Sequence, residues 1–284
     1  MDYFRAPTVQ EALAKLAEEP RRRVICGATD AFADISLVPA RSAWVDISRI
    51  DALRRIERCD GWARIGAASS WESIARTAWL PAALRDAAAA VGSLQIRLQG
   101  SIGGNLCHAS PVADGVPPLL SLDAQVELAS VRGVRRLPLQ EFLLGSGRIA
   151  LKADELLVAV LFALPSEADR TAFVKCTNRD GSALAVVSAA VRLRMSAVNT
   201  IEAAAVAVGG ASEVPLRMPA LEASLQGRRA EALRDVIEGA SLAALTPMDD
   251  CRATAVHRTH LARIGIMRAL THCIEEAAHG VSAG

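Results

Sequence analysis

The sequence predicts an α+β protein: an amino-terminal part made of two small mixed units, then a separate carboxy-terminal domain. Three observations carry this expectation. Helix and strand patterns alternate up to about residue 168, whereas beyond residue 170 three strand patterns at meander spacing are followed only by helical ones. The 284 residues amount to about two domains at roughly 150 residues each. With 51% hydrophobic and 22% charged residues, the chain has the balance of a globular protein and not of a disordered or collagen-like one.

Thr8-Val9-Gln10-Glu11 is a capping-box pattern, and Ala12, Leu13, Leu16 and Ala17 then fall on one helical face until Pro20. The apolar run Val24-Ile25-Cys26 predicts a strand that stops at Gly27-Ala28-Thr29-Asp30, a tight loop opening onto residues 31–35. Residues 44–47 predict a second strand, and residues 53–65 a hairpin turning at Asp60-Gly61. Ser70-Trp71-Glu72-Ser73 starts a helix, and residues 81–91 form a further, alanine-rich one. Next comes a loop with unusual punctuation, Gly100-Ser101-Ile102-Gly103-Gly104-Asn105. A helix at 116–122, strands at 125–128 and 134–137 around the turn Arg132-Gly133, and a strand at 156–164 complete the second unit. Strands at 173–176, 183–195 and 201–208 predict a three-stranded antiparallel sheet. Helices follow at 219–225, 231–237 and 252–278, the last capped by Asp249 and Asp250.

Charge and composition exclude several classes of function. With 32 basic and 31 acidic residues the chain has no field to hold a polyanion, and 4% aromatics leave few stacking platforms, so nucleic acid is excluded as a partner. No apolar run reaches the roughly 18 residues of a membrane span. The start MDYFRAPTVQ lacks the pattern of a signal peptide, which predicts a cytoplasmic protein. The six cysteines, at 26, 59, 107, 176, 251 and 273, are too scattered for zinc or an iron–sulfur cluster.

Among candidate sites, Gly145-Ser146-Gly147-Arg148-Ile149-Ala150 matches a dinucleotide fingerprint but lacks the strand-to-helix context that the fingerprint requires. The two small-residue segments, 26–30 and 100–105, are better candidates: successive backbone N–H groups there can turn toward one anionic group and grip a diphosphate without lysine. The polar run from Asn105 to Asp114 follows directly. Asp114 is either the cap of the next helix or a ribose or amide contact, and His108 would then stand against the ligand. Lys175, one of three lysines, lies on an apolar strand, either as a snorkelling edge residue or as a site residue. His257 and His260 share a face of the last helix next to Arg258 and Arg263, which reads as a solvated face.

From Gln95-Ile96-Arg97 through Gly100-Ser101-Ile102-Gly103-Gly104-Asn105 to Ser110-Pro111 and Asp114, the chain resembles the FAD-binding subunits of the molybdenum hydroxylases, the xanthine dehydrogenase family. Further landmarks in the same order are Gly27-Ala28-Thr29-Asp30, Glu155-Leu156-Leu157, Lys175 in a phenylalanine–x–lysine strand, and Arg258-Thr259-His260-Leu261-Ala262-Arg263. The resemblance implies a two-subdomain PCMH-type FAD-binding fold over residues 1–168, with subdomains of about 1–57 and 58–168, and a smaller α+β carboxy-terminal domain over residues 169–284. It also implies site residues. Ile25, Cys26, Gly27, Ala28, Thr29 and Asp30 together with Ser101, Ile102, Gly103, Gly104 and Asn105 would hold the FAD pyrophosphate, His108 and Asp114 would line the cofactor, and Leu157 and Lys175 would approach the flavin.

Two positions depart from the family pattern. Ala28 replaces a glycine or asparagine, a change the small size of alanine tolerates, and Val91 stands where animal xanthine dehydrogenases place an aromatic beside the flavin. By resemblance the chain is the electron-transfer subunit of a heteromeric enzyme such as a dimer of heterotrimers. A large subunit would carry the molybdopterin cofactor and a small subunit the 2Fe-2S clusters, whose electrons pass through FAD to an external acceptor in a xanthine dehydrogenase-like enzyme, with carbon monoxide, aldehyde and N-heterocycle dehydrogenases as the alternatives. A self-sufficient flavin oxidoreductase would need a catalytic residue that the sequence does not offer, and a non-catalytic nucleotide-binding module would use the same loops.

Overall fold

The computed structural model describes residues 2–33 and 43–281, with side chains described to residue 277; part of the expected 31–35 segment lies outside these. The first unit is a three-stranded parallel sheet in the order β1 (Asp2–Arg5), β3 (Ala43–Asp46), β2 (Arg23–Ile25), with helix α1 (Val9–Glu18) on it. The Thr8 hydroxyl caps α1 by accepting from the Glu11 N–H at 3.2 Å. Ala12, Leu13 and Leu16 face the core as the spacing requires, whereas Ala17 is exposed in the last turn.

The second unit is an antiparallel sheet in the order β4 (Ile56–Cys59), β5 (Trp62–Gly66), β10 (Leu156–Ala163), β6 (Gln125–Ser130), β7 (Gly133–Pro138). Its first hairpin turns where expected: Asp60 and Gly61 both take positive φ, 49° and 79°, the pair of left-handed residues that a two-residue hairpin needs. Five short helices lie between β5 and β6: α2 (Trp71–Arg76), α3 (Ala82–Ala90), α4 (Leu94–Gln99), α5 (Ile102–His108) and α6 (Val116–Ser121). Ile65, Ile74, Leu84, Ile102, Leu106, Val126 and Phe162 form the core beneath them. The segment matching the dinucleotide fingerprint is part of a small hairpin, β8 (Leu143–Gly145) and β9 (Arg148–Ile149), after the one-turn helix α7 (Leu139–Phe142), and it opens no helix.

The carboxy-terminal unit has the three long antiparallel strands that the sequence predicts, β11 (Asp169–Cys176), β12 (Val187–Met195) and β13 (Ile201–Gly209). A two-residue fourth strand, β14 (Leu216–Arg217), extends the edge and makes the sheet four-stranded. Helices α8 (Pro219–Leu225), α9 (Leu233–Gly239) and α10 (Ala255–Val281) follow. The α10 helix starts three residues later than expected. Thr254 accepts from the His257 N–H, while Asp250 is drawn back to the N–H groups of Arg252 and Ala253. One face of this sheet packs on α10 and its neighbours. The other meets α3, where Ala83, Ala87, Phe173 and Ala190 form a small apolar seam and the Ala83 N–H donates to Thr171 Oγ1 at 3.1 Å. Among the described residues no helix is long and apolar enough to cross a membrane.

Candidate functional site

The two small-residue segments meet backbone to backbone. A Cβ placed on Gly27 would lie 1.7 Å from the Gln99 carbonyl oxygen and 3.1 Å from the Gly100 nitrogen, so only glycine allows the first unit to approach the second here. The loop then bends at Ala28, whose φ of 53° is left-handed. Size is therefore not what alanine changes: relative to glycine it adds a Cβ that is strained at positive φ, and relative to asparagine it lacks the polar side chain that eases a left-handed backbone. Among the described residues the N–H groups of Ala28, Thr29 and Asp30 make no hydrogen bond. Burial pushes the Cys26 thiol up, and the neighbouring Ser101 hydroxyl partly offsets this, which makes Cys26 an inert wall of the loop.

The second segment is not the loop that its glycines predict. Ser101 caps α5 by accepting from the Gly104 N–H at 3.1 Å, and Ile102 and Leu106 point into the core. The N–H groups expected to face an anion are taken internally: Ile102 donates to the Ser69 carbonyl, Gly103 to that of Ala67, Gly104 to the Ser101 hydroxyl and Asn105 to the Ser101 carbonyl. Gly103 is a packing glycine, since a Cβ there would meet the Ala67 oxygen at 2.6 Å. Gly104 is exposed, and a Cβ there would meet only the Ser101 hydroxyl, at 3.1 Å. Asn105 Oδ1 is buried without a hydrogen-bond partner.

His108, in the last turn of α5, reaches back to the first loop, with Nδ1 2.9 Å from Asp30 Oδ2 and both side chains substantially exposed. The pair ties the two segments together on the solvent side. On the inner side, Asp114 and Lys175 form a buried ion pair of 2.7 Å, and Lys175 Nζ also donates to the Ala90 carbonyl at the end of α3, 2.9 Å away. Asp114 is thus not a helix cap: the residue before α6 is Gly115, and the helix has no side-chain cap. Lys175 does not snorkel either, because its side chain is only 10% exposed. Burial pushes the Asp114 carboxyl up and Lys175 pulls it back, while Asp114 Oδ1 has no hydrogen-bond partner.

Leu157 is placed differently from the other expected residues. It is 2% exposed and packed in the core of the second unit, which leaves only its backbone, beside the register slip between Leu157 and Ala159, to reach a ligand. Ile25 ends β2 and is buried at the sheet. Val91 caps the end of α3, half-buried, one residue from the carbonyl that Lys175 contacts.

Three further contributors were not among the expected site residues. Trp71 donates its backbone N–H to the Gly100 carbonyl, and its ring lies so close to Gly115 that a Cβ there would come within 2.3 Å of it. A Cβ on Gly100 would also touch the ring, 3.4 Å from its Cδ1, so Trp71 packs against both glycines. Ala90 supplies the second acceptor of Lys175. Arg258, read from sequence as part of a solvated face, is 2% exposed and donates to the carbonyls of Val186, Gly210 and Met248 and to Asp250. The N–H of Gly210 in turn bonds the Pro111 carbonyl at 2.8 Å, so α10 is connected to the segment that carries Asp114. His257 and His260 are exposed. A cleft of about 310 Å³, lined among others by Arg58, Trp79, Glu167 and Arg170, lies at the opposite end of α3 from Lys175.

Comparisons with known proteins identify the family of the chain. Residues 1–165 match the family described as FAD binding domain in molybdopterin dehydrogenase, and residues 172–273 match the CO dehydrogenase flavoprotein C-terminal domain. The xanthine dehydrogenase FAD-binding subunit of Escherichia coli O157:H7 is 31% identical over 97% of this chain and 96% of its own length. The nicotinate dehydrogenase FAD-subunit of Eubacterium barkeri is 31% identical over 80% of this chain and 79% of its own. Carbon monoxide dehydrogenase from Hydrogenophaga pseudoflava superposes with a TM-score of 0.89 at 26% identity, covering 96% of both chains. The chain belongs to the FAD-binding subunits of the xanthine dehydrogenase and carbon monoxide dehydrogenase family of molybdenum hydroxylases, and is an oxidoreductase subunit.

Proposed function

We propose that this subunit holds one FAD noncovalently between the 25–30 loop and the 101–114 segment and passes electrons from 2Fe-2S clusters of a small partner subunit to an external acceptor. Substrate is oxidised on a large partner subunit that carries the molybdopterin cofactor. The observation that supports this reading most is the meeting of the two segments at Gly27 and Gln99, with donors on one side and acceptors on the other. The N–H groups of Ala28, Thr29 and Asp30 suit phosphate oxygens. The buried, unpartnered Asn105 Oδ1 and Asp114 Oδ1 suit hydroxyl or ring N–H donors, and bare Gly104 admits a close approach. These are complementary to FAD, whose bound flavin supplies reversible electron uptake. Lys175 would place its ammonium near the flavin, His108 and Asp30 would close the solvent side, and Leu157 would contribute backbone alone.

The proposal keeps the division into residues 1–168 and 169–284, a cytoplasmic location and assembly into a hetero-oligomer such as a dimer of heterotrimers. The Ser110–Pro118 run inclines the substrate toward purine-type heterocycles. The likeness to carbon monoxide dehydrogenase supports carbon monoxide, aldehyde or other N-heterocycle dehydrogenases as the second reading. Anaerobic flavin bleaching tests the relay. Substrate added to the isolated chain should leave the flavin oxidised, and adding both partner subunits should bleach it; bleaching by the chain alone would replace the relay with a self-sufficient oxidoreductase.

A further inference from the structure

We propose that Asp114 is a proton acceptor coupled to reduction of the bound flavin: when FAD takes up an electron pair and one proton, the Asp114 carboxylate takes up a second proton and stays beside Lys175 as the neutral acid. This rests on the reading above, in which Asp114 and Lys175 face the flavin. Their side chains are each 10% exposed, and Nζ lies 2.7 Å from Oδ2. The pair is neutral, and the Ala90 carbonyl to which Lys175 also donates is at the negative end of α3. A reduced flavin anion placed there would add a second full negative charge around a single ammonium, in surroundings where charge is poorly screened.

Among the described residues one neighbouring group can relieve that charge by titrating. Lys175 Nζ already donates to Asp114 and to the Ala90 carbonyl, the Ala90 carbonyl from α3, Asn105 from α5 and Ser188, across from Lys175 on β12, do not titrate, and His108 of α5 is paired with Asp30 on the solvent side. Among the described residues Lys175 is the one charged group acting on Asp114. The carboxyl is already pushed up by burial, and its Oδ1 has no donor within the protein, so no protein hydrogen bond is given up when this oxygen becomes a hydroxyl. The balance is FAD, two electrons and one proton giving the reduced flavin anion, with a second proton going to Asp114. The electrons come from an iron–sulfur donor in the complex, or from dithionite in the test.

The full chain loaded with FAD is titrated spectroelectrochemically across the alkaline range in which the reduced flavin is itself an anion. Two protons per electron pair give a midpoint potential that falls by about 60 mV per pH unit, and one proton gives about 30 mV. Wild type should follow the steeper line and Asp114→Asn the shallower one. A wild-type slope of about 30 mV overturns the coupling, as does a variant that binds FAD and keeps the steep slope. If Asp114→Asn fails to retain flavin, infrared difference spectra of wild type labelled at aspartate carboxyl carbons decide: reduction should create a protonated-carboxyl band, and its absence overturns the inference. A wild-type chain that binds no FAD overturns the underlying site reading instead.

Discussion

The two glycine-bearing segments look alike in composition, and the molecule uses them in opposite ways. The 27–30 loop leaves a parallel strand, bends through a left-handed alanine and leaves the N–H groups of Ala28, Thr29 and Asp30 outside the hydrogen bonds of the described residues. The 101–105 segment winds into a helix and engages its N–H groups with Ser69, Ala67 and Ser101. What remains on the second side is a bare Cα at Gly104 and an acceptor at Asn105. Glycine content thus marks where backbones approach closely, but not which side donates.

Gly27→Ala should have the largest effect, because its methyl would overlap the Gln99 carbonyl and separate the segments. Overpacking against backbone costs on the order of 1–3 kcal/mol or more, so both denaturant midpoint and flavin content should fall. Gly104→Val sharpens the comparison: it should abolish flavin binding while the unfolding free energy of the flavin-free protein stays within about 0.5 kcal/mol of wild type, as expected of an exposed position. A drop in stability as large as that of Gly27→Ala would show that Gly104 is structural.

Ala28→Gly should act in the other direction. Relief of a left-handed alanine is worth roughly 1 kcal/mol, reduced by the greater entropy of glycine in the unfolded chain, and equilibrium urea unfolding should show a net gain with flavin retained. The smallest effect is expected for Asp30→Asn. The exposed pair with His108 contributes at most about 1 kcal/mol, so flavin should dissociate slightly faster, as stopped-flow displacement would show, with little change in midpoint.

Much of the frame was legible because local chemistry decides it. The Thr8 cap of α1, the Asp60-Gly61 turn and the three long carboxy-terminal strands each follow from residues a few positions apart. Strand β1 was not, because its identity comes from pairing with β3, some forty residues away. The α4 helix was missed because it buries none of its residues, and Leu94, Ile96 and Leu98 are exposed, so it has no apolar face to detect. In the site, residue types were readable but their roles were not. The sign of φ at Ala28, the internal partners of the 102–105 N–H groups, and the burial of Arg258 and Lys175 all depend on atoms distant in sequence.

Titration of apo wild type with FAD, followed by flavin fluorescence and by absorbance after acid precipitation, tests the central claim that the two segments form one cofactor site. The account predicts a single FAD per chain, released into the acid supernatant, lost in Gly104→Val, and retained in a control substitution at exposed Gly239, where a Cβ meets nothing within 4 Å. Equal flavin stoichiometry in wild type and Gly104→Val, or yellow colour that stays with the precipitated protein, would contradict it.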